Sequence, residues 1–349
     1  MEPSDIKSMD FDELRAELAV LGEKEFRAAQ IYEWLHKKLC GSFDEMTNIS
    51  LALREKCKER FSFCNLLKVD CKESALDGTR KYLFGLADGN VVESVFMRYH
   101  HGNSVCISSQ VGCRMGCTFC ASTLGGLTRN LAPSEMLSQV YEIQKLTGER
   151  IHNVVVMGTG EPFDNYDNLI RFLKMISDDR GLNISGRNVT VSTCGIVPRI
   201  RQFGGEGLTC NLALSLHAPN DEVRAMLMPV ARRYPLAEIL AAMDDYYGKT
   251  GRRLTFEYSL VDGVNDKAAL ARELSLLLRG RNCLVNLIPV NPVKERGCRR
   301  SRAGNIENFK NILEKNRINV TIRREMGSDI DAACGQLRKS YMDREVGRE

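Results

Sequence analysis

The chain shows three successive rhythms of apolar and polar residues. Through about residue 65 the spacing is helical. Asp10, with Glu13 three residues on, marks a helix start. In FRAAQIYEWLHKKL, Phe26, Ile31, Trp34, Leu35 and Leu39 recur near helical spacing, and basic residues gather at the end. The period then changes. LLKVDC, RKYLFGL and VVESVFM predict short strands joined by turns at Asp77-Gly78 and Asp88-Gly89.

From residue 104 strand-like runs alternate with helical stretches. SVCISS precedes a helix over 133–147, NVVVMG one over 165–178, and NVTVST one over 196–203. NLALSL precedes helices within 221–247, LTFEYSL one over 266–279, and CLVNLIP one over 304–316; NVTIRR comes last. This alternation predicts an α/β fold, a parallel sheet with helices outside, open or closed into a barrel. The boundaries that follow are a helical domain over 1–65, a β-rich connecting region over 66–103, and the α/β domain over 104–349.

The unusual residues fall at consistent places in that pattern. Three cysteines follow the first strand of the α/β domain, and Gly160 and Glu161 follow the second. Ser192 ends the third, Ser215 and His217 end the fourth, and Asn291 follows the sixth. Barrel enzymes place their active sites at the C-terminal ends of the strands, so one pocket gathers all of these.

Composition narrows the setting. The net charge of +4 (49 basic, 45 acidic) permits a nucleic-acid partner without requiring one. No apolar run approaches the roughly 18 residues of a membrane helix. The acidic start, MEPSDIKSMDFDELRAEL, lacks the apolar core of a signal peptide. The expectation is a cytoplasmic protein with reduced thiols and no membrane partner. Thirteen cysteines cannot all pair with one another, which leaves metal binding and catalysis. Cys40, Cys57, Cys64, Cys71, Cys210 and Cys283 lie in apolar stretches and read as small buried hydrophobes.

CRMGCTFC sets Cys113, Cys117 and Cys120 within eight residues. Structural zinc takes four ligands, commonly as two pairs, and no second pair lies at such spacing. Cys106 is an awkward fourth ligand because it sits inside a strand. A four-thiolate iron–sulfur cluster would need Cys194 or Cys334 to complete it. Incidental clustering in a core suits Arg114, Gly116 and Thr118 poorly. The reading that best fits three thiols is a [4Fe-4S] cluster with one iron left open, the mark of a reactive metal site. The spacing resembles that of the radical S-adenosylmethionine (SAM) superfamily, where the fourth iron chelates the amino and carboxylate groups of SAM. MGTGEPF lacks the third glycine of a dinucleotide loop and the lysine of a P-loop. It resembles the superfamily's GGE stretch, which implies that Gly160 and Glu161 meet the SAM ammonium.

SSQVGC, the cysteine loop, RNL, MGTGEP, VSTCGIVP, SLHAP, GVND, NLIPVNP and DIDAACGQL follow in order. Together they resemble the bacterial dual-specificity 23S rRNA and tRNA adenine-C2 methyltransferases. FRAAQIYEWLHKK and FDEMTNISLALREK extend the resemblance over nearly the whole chain. A sister family methylates adenine C8 and confers antibiotic resistance; it reads GEA where this chain has Gly160-Glu161-Pro162, which favours C2. The resemblance implies a partial (β/α)6-type radical SAM barrel with an N-terminal RNA-binding accessory domain.

It also implies a course of events using two SAM molecules per turnover. Cys334 takes a methyl group from one SAM. The reduced cluster cleaves a second to a 5′-deoxyadenosyl radical, which removes a hydrogen from that methyl. The methylene radical adds to adenine C2, and Glu93 accepts the C2 proton. Cys106 attacks the Cys334 sulfur, releasing product and leaving a disulfide for a reductant to reset. Ser192, Ser215, Leu216 through its backbone, His217 and Asn291 join Gly160 and Glu161 as SAM contacts. A flavodoxin-like or similar donor supplies electrons, and the enzyme is a monomer. VKERGCRRSRAG, just after Asn291, holds five basic residues suited to phosphate contact, with Arg232-Arg233-Tyr234 a second candidate. The target adenine leaves its stack to react. Two rivals stand beside this reading: the C8 enzyme, or a non-catalytic iron–sulfur or zinc RNA-binding protein that would dispense with Cys106 and Cys334.

Overall fold

The computed structural model describes residues 3–293, 295–333 and 335–336. It opens with a helical unit: β1 (Ser4–Asp5), α1 (Phe11–Val20), α2 (Glu25–His36), α3 (Leu51–Arg60) and β2 (Phe61–Ser62). β1 and β2 pair in parallel and fasten its two ends together. Asp10 starts α1 as a capping box: its carboxylate accepts from the Glu13 N–H, and Glu13 accepts from the Asp10 N–H. Ile6, Leu14, Leu18, Ile31, Leu35 and Phe43 form a core distinct from that of the sheet. The apolar stripe of α2 is narrower than its sequence predicts. Phe26 is exposed, and the helix stops at His36, beyond which Leu39 turns left-handed at φ 58°.

β3 (Leu67–Glu73), β4 (Arg80–Gly85), β5 (Val91–Tyr99) and β6 (Gly102–Ile107) form an antiparallel meander. The expected turns are present, with Gly78 and Gly89 both at positive φ. β7 (Gln110–Gly112) and β8 (Leu127–Asn130) pair as a small clip. There follow α4 (Pro133–Thr147), β9 (Asn153–Val156), α5 (Tyr166–Ile176), β10 (Val189–Thr193), α6 (Val197–Phe203) and β11 (Asn211–Ser215). Then come α7 (Asp221–Leu227), α8 (Leu236–Thr250), β12 (Leu254–Leu260), α9 (Ala268–Leu277), β13 (Cys283–Pro289), α10 (Ala303–Lys315) and β14 (Asn319–Ile322).

The sheet order is β14-β13-β12-β11-β10-β9-β6-β5-β4-β3. β6 and β9 to β14 run parallel, joined by helical crossings, which is the α/β architecture the alternation predicts. The meander is continuous with it, because β6 pairs with β5 on one side and β9 on the other. Successive side chains on a strand face opposite ways. Val105, Ile107, Val154, Val189, Val191, Leu212 and Leu214 pack in the main apolar core. The opposite face carries Cys106, Ser192, Ser215, Glu257 and Asn286. The side of the sheet beyond β14 is bridged by the chain from Met326 onward. Asp77 accepts from the Gly327 N–H at 3.0 Å, and Asp329 accepts from the Ser74 hydroxyl at 2.6 Å. No helix among the described residues is long and apolar enough to cross a membrane.

His36 marks the seam between helical unit and sheet domain. Its Nδ1 lies 2.9 Å from the Tyr141 hydroxyl of α4. Burial, helped by Lys7, pushes its pKa from 6.5 to about 3. Between those values the unfolded chain binds one proton more than the folded one, so stability rises with pH across that window. We expect His36→Asn to flatten the dependence there by about 1.4 kcal/mol per pH unit, measured by urea unfolding at several pH values. An unchanged slope would show that His36 is protonated in the fold.

Candidate active site

The cysteine loop hangs from the β7–β8 clip. The Cys113 N–H donates to the Gly126 carbonyl at 3.0 Å. Gly112, at φ 77°, faces that same carbonyl, and a Cβ there would lie 1.9 Å from its oxygen. Only glycine fits. Within the loop, the Thr123 hydroxyl donates to the carbonyls of Cys117 (3.2 Å) and Cys120 (3.0 Å). The Thr118 N–H donates to the Leu227 carbonyl at 2.9 Å, and the Ala121 N–H to the Gly335 carbonyl at 2.8 Å. Arg114 points outward and pairs with Asp164.

Cys113, Cys117 and Cys120 line one cavity together with Gly160, Glu161, Ser192, Ser215, His217 and Asn291. Burial pushes the Cys113 thiol up to about 12 and the Cys117 thiol well above its usual value. Such thiols stay protonated until a metal displaces the proton. No three His, Cys, Asp or Glu side chains among the described residues are placed to hold a single metal ion. Three thiols line one cavity with Met115, Phe119 and Met228 beside them, a donor set of the kind that holds iron–sulfur clusters.

Glu161 is buried, and burial raises its pKa. Its carboxylate accepts from the Thr193 hydroxyl (2.7 Å), the Cys194 N–H (2.7 Å) and the Phe163 N–H (3.0 Å). The Cys194 thiol is a fourth and weaker donor to it, and it is the one a ligand ammonium would displace. His217 sits at φ 57°, and its Nδ1 accepts from the Ser259 N–H at 2.9 Å. Burial lowers its pKa to about 3. The ring is therefore neutral with its proton on Nε2, a donor for the cavity. Ser192 and Ser215 hydroxyls lie 3.4 Å apart on adjacent strands. Leu216 has both backbone groups engaged within the protein: its N–H donates to the Glu257 carbonyl, and its carbonyl accepts from Arg224.

A second cavity adjoins the first and shares Met157, Ile288, Asn291 and Arg323 with it. Cys106 lines this one, with Val95, Met97 and Ala332 packed beside it. Val95 and Cys106 are cross-strand partners, and Glu93 lies two residues back on the same face. Glu93 is buried and pairs with Lys81 at 3.2 Å, and Lys81 also donates to the Asp331 carbonyl at 3.1 Å. Glu93 lines neither of these two cavities. Cys334 lies outside the described residues; of its chain neighbours, Ala333 lines the second cavity and Gly335 the first.

Other expectations need adjustment. Cys71 is exposed because edge strand β3 leaves its side chains to solvent, and Cys64, in the link between β2 and β3, is half-buried. The basic segment after Asn291 is partly tied down: Arg296 donates to the Thr123 hydroxyl at 2.7 Å, and Arg300 pairs with Glu325 at 2.6 Å. Lys294 lies outside the described residues. Sequence reasoning missed Glu257 and Arg224. Glu257 is a buried carboxylate on the cavity wall, bonded to Asn286 at 2.9 Å. Arg224 is wholly buried, and its one signal was a place three and four residues before Leu227 and Met228 on the same helical face.

Comparison with known proteins identifies the family and the fold. Residues 4–62 match the model of the ribosomal RNA large subunit methyltransferase N-terminal domain, and residues 107–274 match the radical SAM superfamily. The chain is 66% identical over 348 residues to a probable dual-specificity RNA methyltransferase RlmN of Lachnoclostridium phytofermentans, covering 100% of this chain and 98% of the relative. A relative of the same name from Bacillus subtilis is 53% identical, with 97% and 93% covered. The crystal structure of a radical SAM methyltransferase from Sphaerobacter thermophilus superposes with a TM-score of 0.93 at 43% identity, covering 97% of this chain and 100% of that one.

The clip offers a direct test. Gly112→Ala should lose most of the iron and sulfide taken up on anaerobic reconstitution, while far-ultraviolet circular dichroism stays unchanged. Full uptake by this variant would show that the clip does not hold the thiols in place.

Proposed function

We propose that this chain, which belongs to the RlmN family of dual-specificity radical SAM RNA methyltransferases, methylates carbon 2 of an adenine in both 23S rRNA and tRNA. The observation that carries the reading is the pair of adjoining cavities, one lined by the three thiols and the other by Cys106, with a shared wall. Adenine C2 is neither acidic nor nucleophilic, so it cannot attack a methyl sulfonium directly, whereas a carbon radical can add to it. A [4Fe-4S] cluster with SAM, held by Cys113, Cys117 and Cys120, supplies that chemistry as one-electron cleavage of SAM.

The chain's own residues do the rest. Gly160, at φ 112°, lets the loop pack onto Gln110 and Ser109, where a Cβ would lie 2.7 and 2.8 Å from their side chains, and Glu161 beside it accepts from the SAM ammonium in place of the Cys194 thiol. Ser192, Ser215 and the Nε2–H of His217 supply hydroxyl and N–H contacts, and Asn291 completes the wall. Met157 and Ile288 exclude water from reactive carbon centres. Cys334 carries the methyl group as a thioether and delivers it to C2 as a methylene. Glu93 takes the C2 proton once the adduct has given up an electron, for which the oxidised cluster would be the acceptor. The Cys106 thiolate then attacks the Cys334 sulfur; an S–S bond forms as the S–C bond breaks, the electron pair leaves with the carbon into the adenine ring system, and a proton from solvent completes the methyl group. Two SAM molecules serve each turnover, a flavodoxin-like donor supplies electrons, and the enzyme works as a monomer. Pro162, after Glu161, supports C2 over C8, where the sister family carries alanine.

The test uses reconstituted protein, reductant, SAM labelled on its methyl group, and protein-free 23S rRNA or tRNA. Nucleoside mass spectrometry should show 2-methyladenosine in both RNAs and none with Cys334→Ala. Cys106→Ala should leave RNA covalently attached to protein on a denaturing gel. 8-Methyladenosine would replace the C2 reading with the C8 one. No methyladenosine, with cluster intact and RNA bound, would overturn the assignment of both substrates.

A further inference from the structure

Arg224 takes no part in the chemistry above, and its setting is unusual. It heads the fully buried side chains in volume, at 0% exposure. Its Nε donates to the Leu216 carbonyl at 3.1 Å, and one Nη donates to the carbonyls of Cys194 (2.6 Å) and Ser215 (3.3 Å). The other Nη is buried without a hydrogen-bond partner. No carboxylate forms an ion pair with it among the described residues; Asp221, at the exposed start of the same helix, attracts it only from a distance. A buried charge with no counter-ion is expensive, and desolvation lowers the pKa of this guanidinium.

Its surroundings point to the missing anion. The last carbonyl of α7, on Leu227, accepts from Thr118 in the middle of the cysteine loop at 2.9 Å. Leu227 and Met228 pack in one apolar cluster with Cys117 and Cys194. Arg224 is near enough to the Cys194 sulfur first, and then to the Cys117 sulfur, to act on both electrostatically. A [4Fe-4S] cluster held by three thiolates is anionic and gains one more negative charge on reduction, and nearby charge sets its potential.

We infer that Arg224 is a positioning residue that holds the ends of β10 and β11 by their carbonyls and serves as the buried counter-charge of the cluster, favouring its reduced form. The inference rests on the assignment of the cluster to Cys113, Cys117 and Cys120.

The test compares wild type, Arg224→Gln and Arg224→Lys after anaerobic reconstitution. Iron content is measured first, then the midpoint potential by redox titration followed by electron paramagnetic resonance. Arg224→Gln should lower the ratio of reduced to oxidised cluster at a fixed potential by about tenfold or more, a negative shift of about 59 mV or more for one electron. Arg224→Lys keeps the charge and should stay nearer wild type. A glutamine variant titrating at the wild-type potential, or equal shifts for both variants, would overturn the inference, since a purely structural clamp has no charge order. If the glutamine variant takes up no cluster, the lysine variant decides. A cluster near the wild-type potential supports the inference; a folded lysine variant with no cluster, or with a tenfold loss, refutes it. Failure of the wild type to bind the cluster would remove the underlying assignment instead.

Discussion

Parallel strands all finish on the same side of a sheet, and there each backbone leaves its ladder with N–H and C=O groups still to satisfy. In this molecule that side is buried, so water cannot do it. Long polar side chains do it instead. Gln139 accepts from the Ser108 N–H and donates to the Ser108 carbonyl where β6 ends. Glu161 accepts from backbone N–H groups on either side of the gap between β9 and β10. Arg224 gathers three carbonyls beyond β10 and β11. Asn265 donates to the carbonyls of His217 and Ser259 and accepts from the Val261 N–H. The cavity lined by the three thiols lies among these contacts, so the groups that make the fold self-consistent also set its walls.

This arrangement ties specificity to rigidity. His217 presents a neutral donor because its other nitrogen already accepts from Ser259. Glu161 is held by two backbone N–H groups and a hydroxyl, so a ligand has only the weak Cys194 thiol to displace. A side chain whose other bonds are fixed has little freedom to lose when a ligand arrives, which is a form of preorganisation. The same logic fits the cysteine loop, which is bonded to the clip, α7, Arg296 and the chain near Gly335 before any metal binds.

Much of this was legible in the sequence, for identifiable reasons. The strand–helix alternation and the order of Cys113, Glu161, Ser192, Ser215 and Asn291 along it placed these residues at one mouth. Strand ends are marked by period, and the mouth of a parallel sheet is a topological necessity. Local devices were legible too, such as the Asp10–Glu13 capping box. The rest depended on contacts far apart in sequence. The one local signal at Arg224, its place on the helical face of Leu227 and Met228, does not reveal its partners, which are carbonyls at the ends of two strands. The pairing of Glu93 with Lys81 follows from register, which short apolar runs specify only after folding. The exposure of Cys71 likewise reflects β3 being the edge of the sheet, a fact about strand order. Phe26 looked like core because its spacing fits a stripe, but the core of so small a helical unit fills before the stripe is complete.

The tie between the chain near Asp329 and the turn after β3 also bears on synthesis. Ser74 and Asp329 are 255 residues apart. Chains emerge from the ribosome at about 5–20 residues per second, so domains fold from the N-terminal end first. The helical unit can close on itself early, and the meander soon after. The last side of the reaction chamber cannot close until residue 329 has been made. Until then the thiols of the nascent chain face a half-built chamber, exposed to stray oxidants and to metals of the wrong kind. Loading the cluster is therefore best suited to a time after translation, when the chamber is complete.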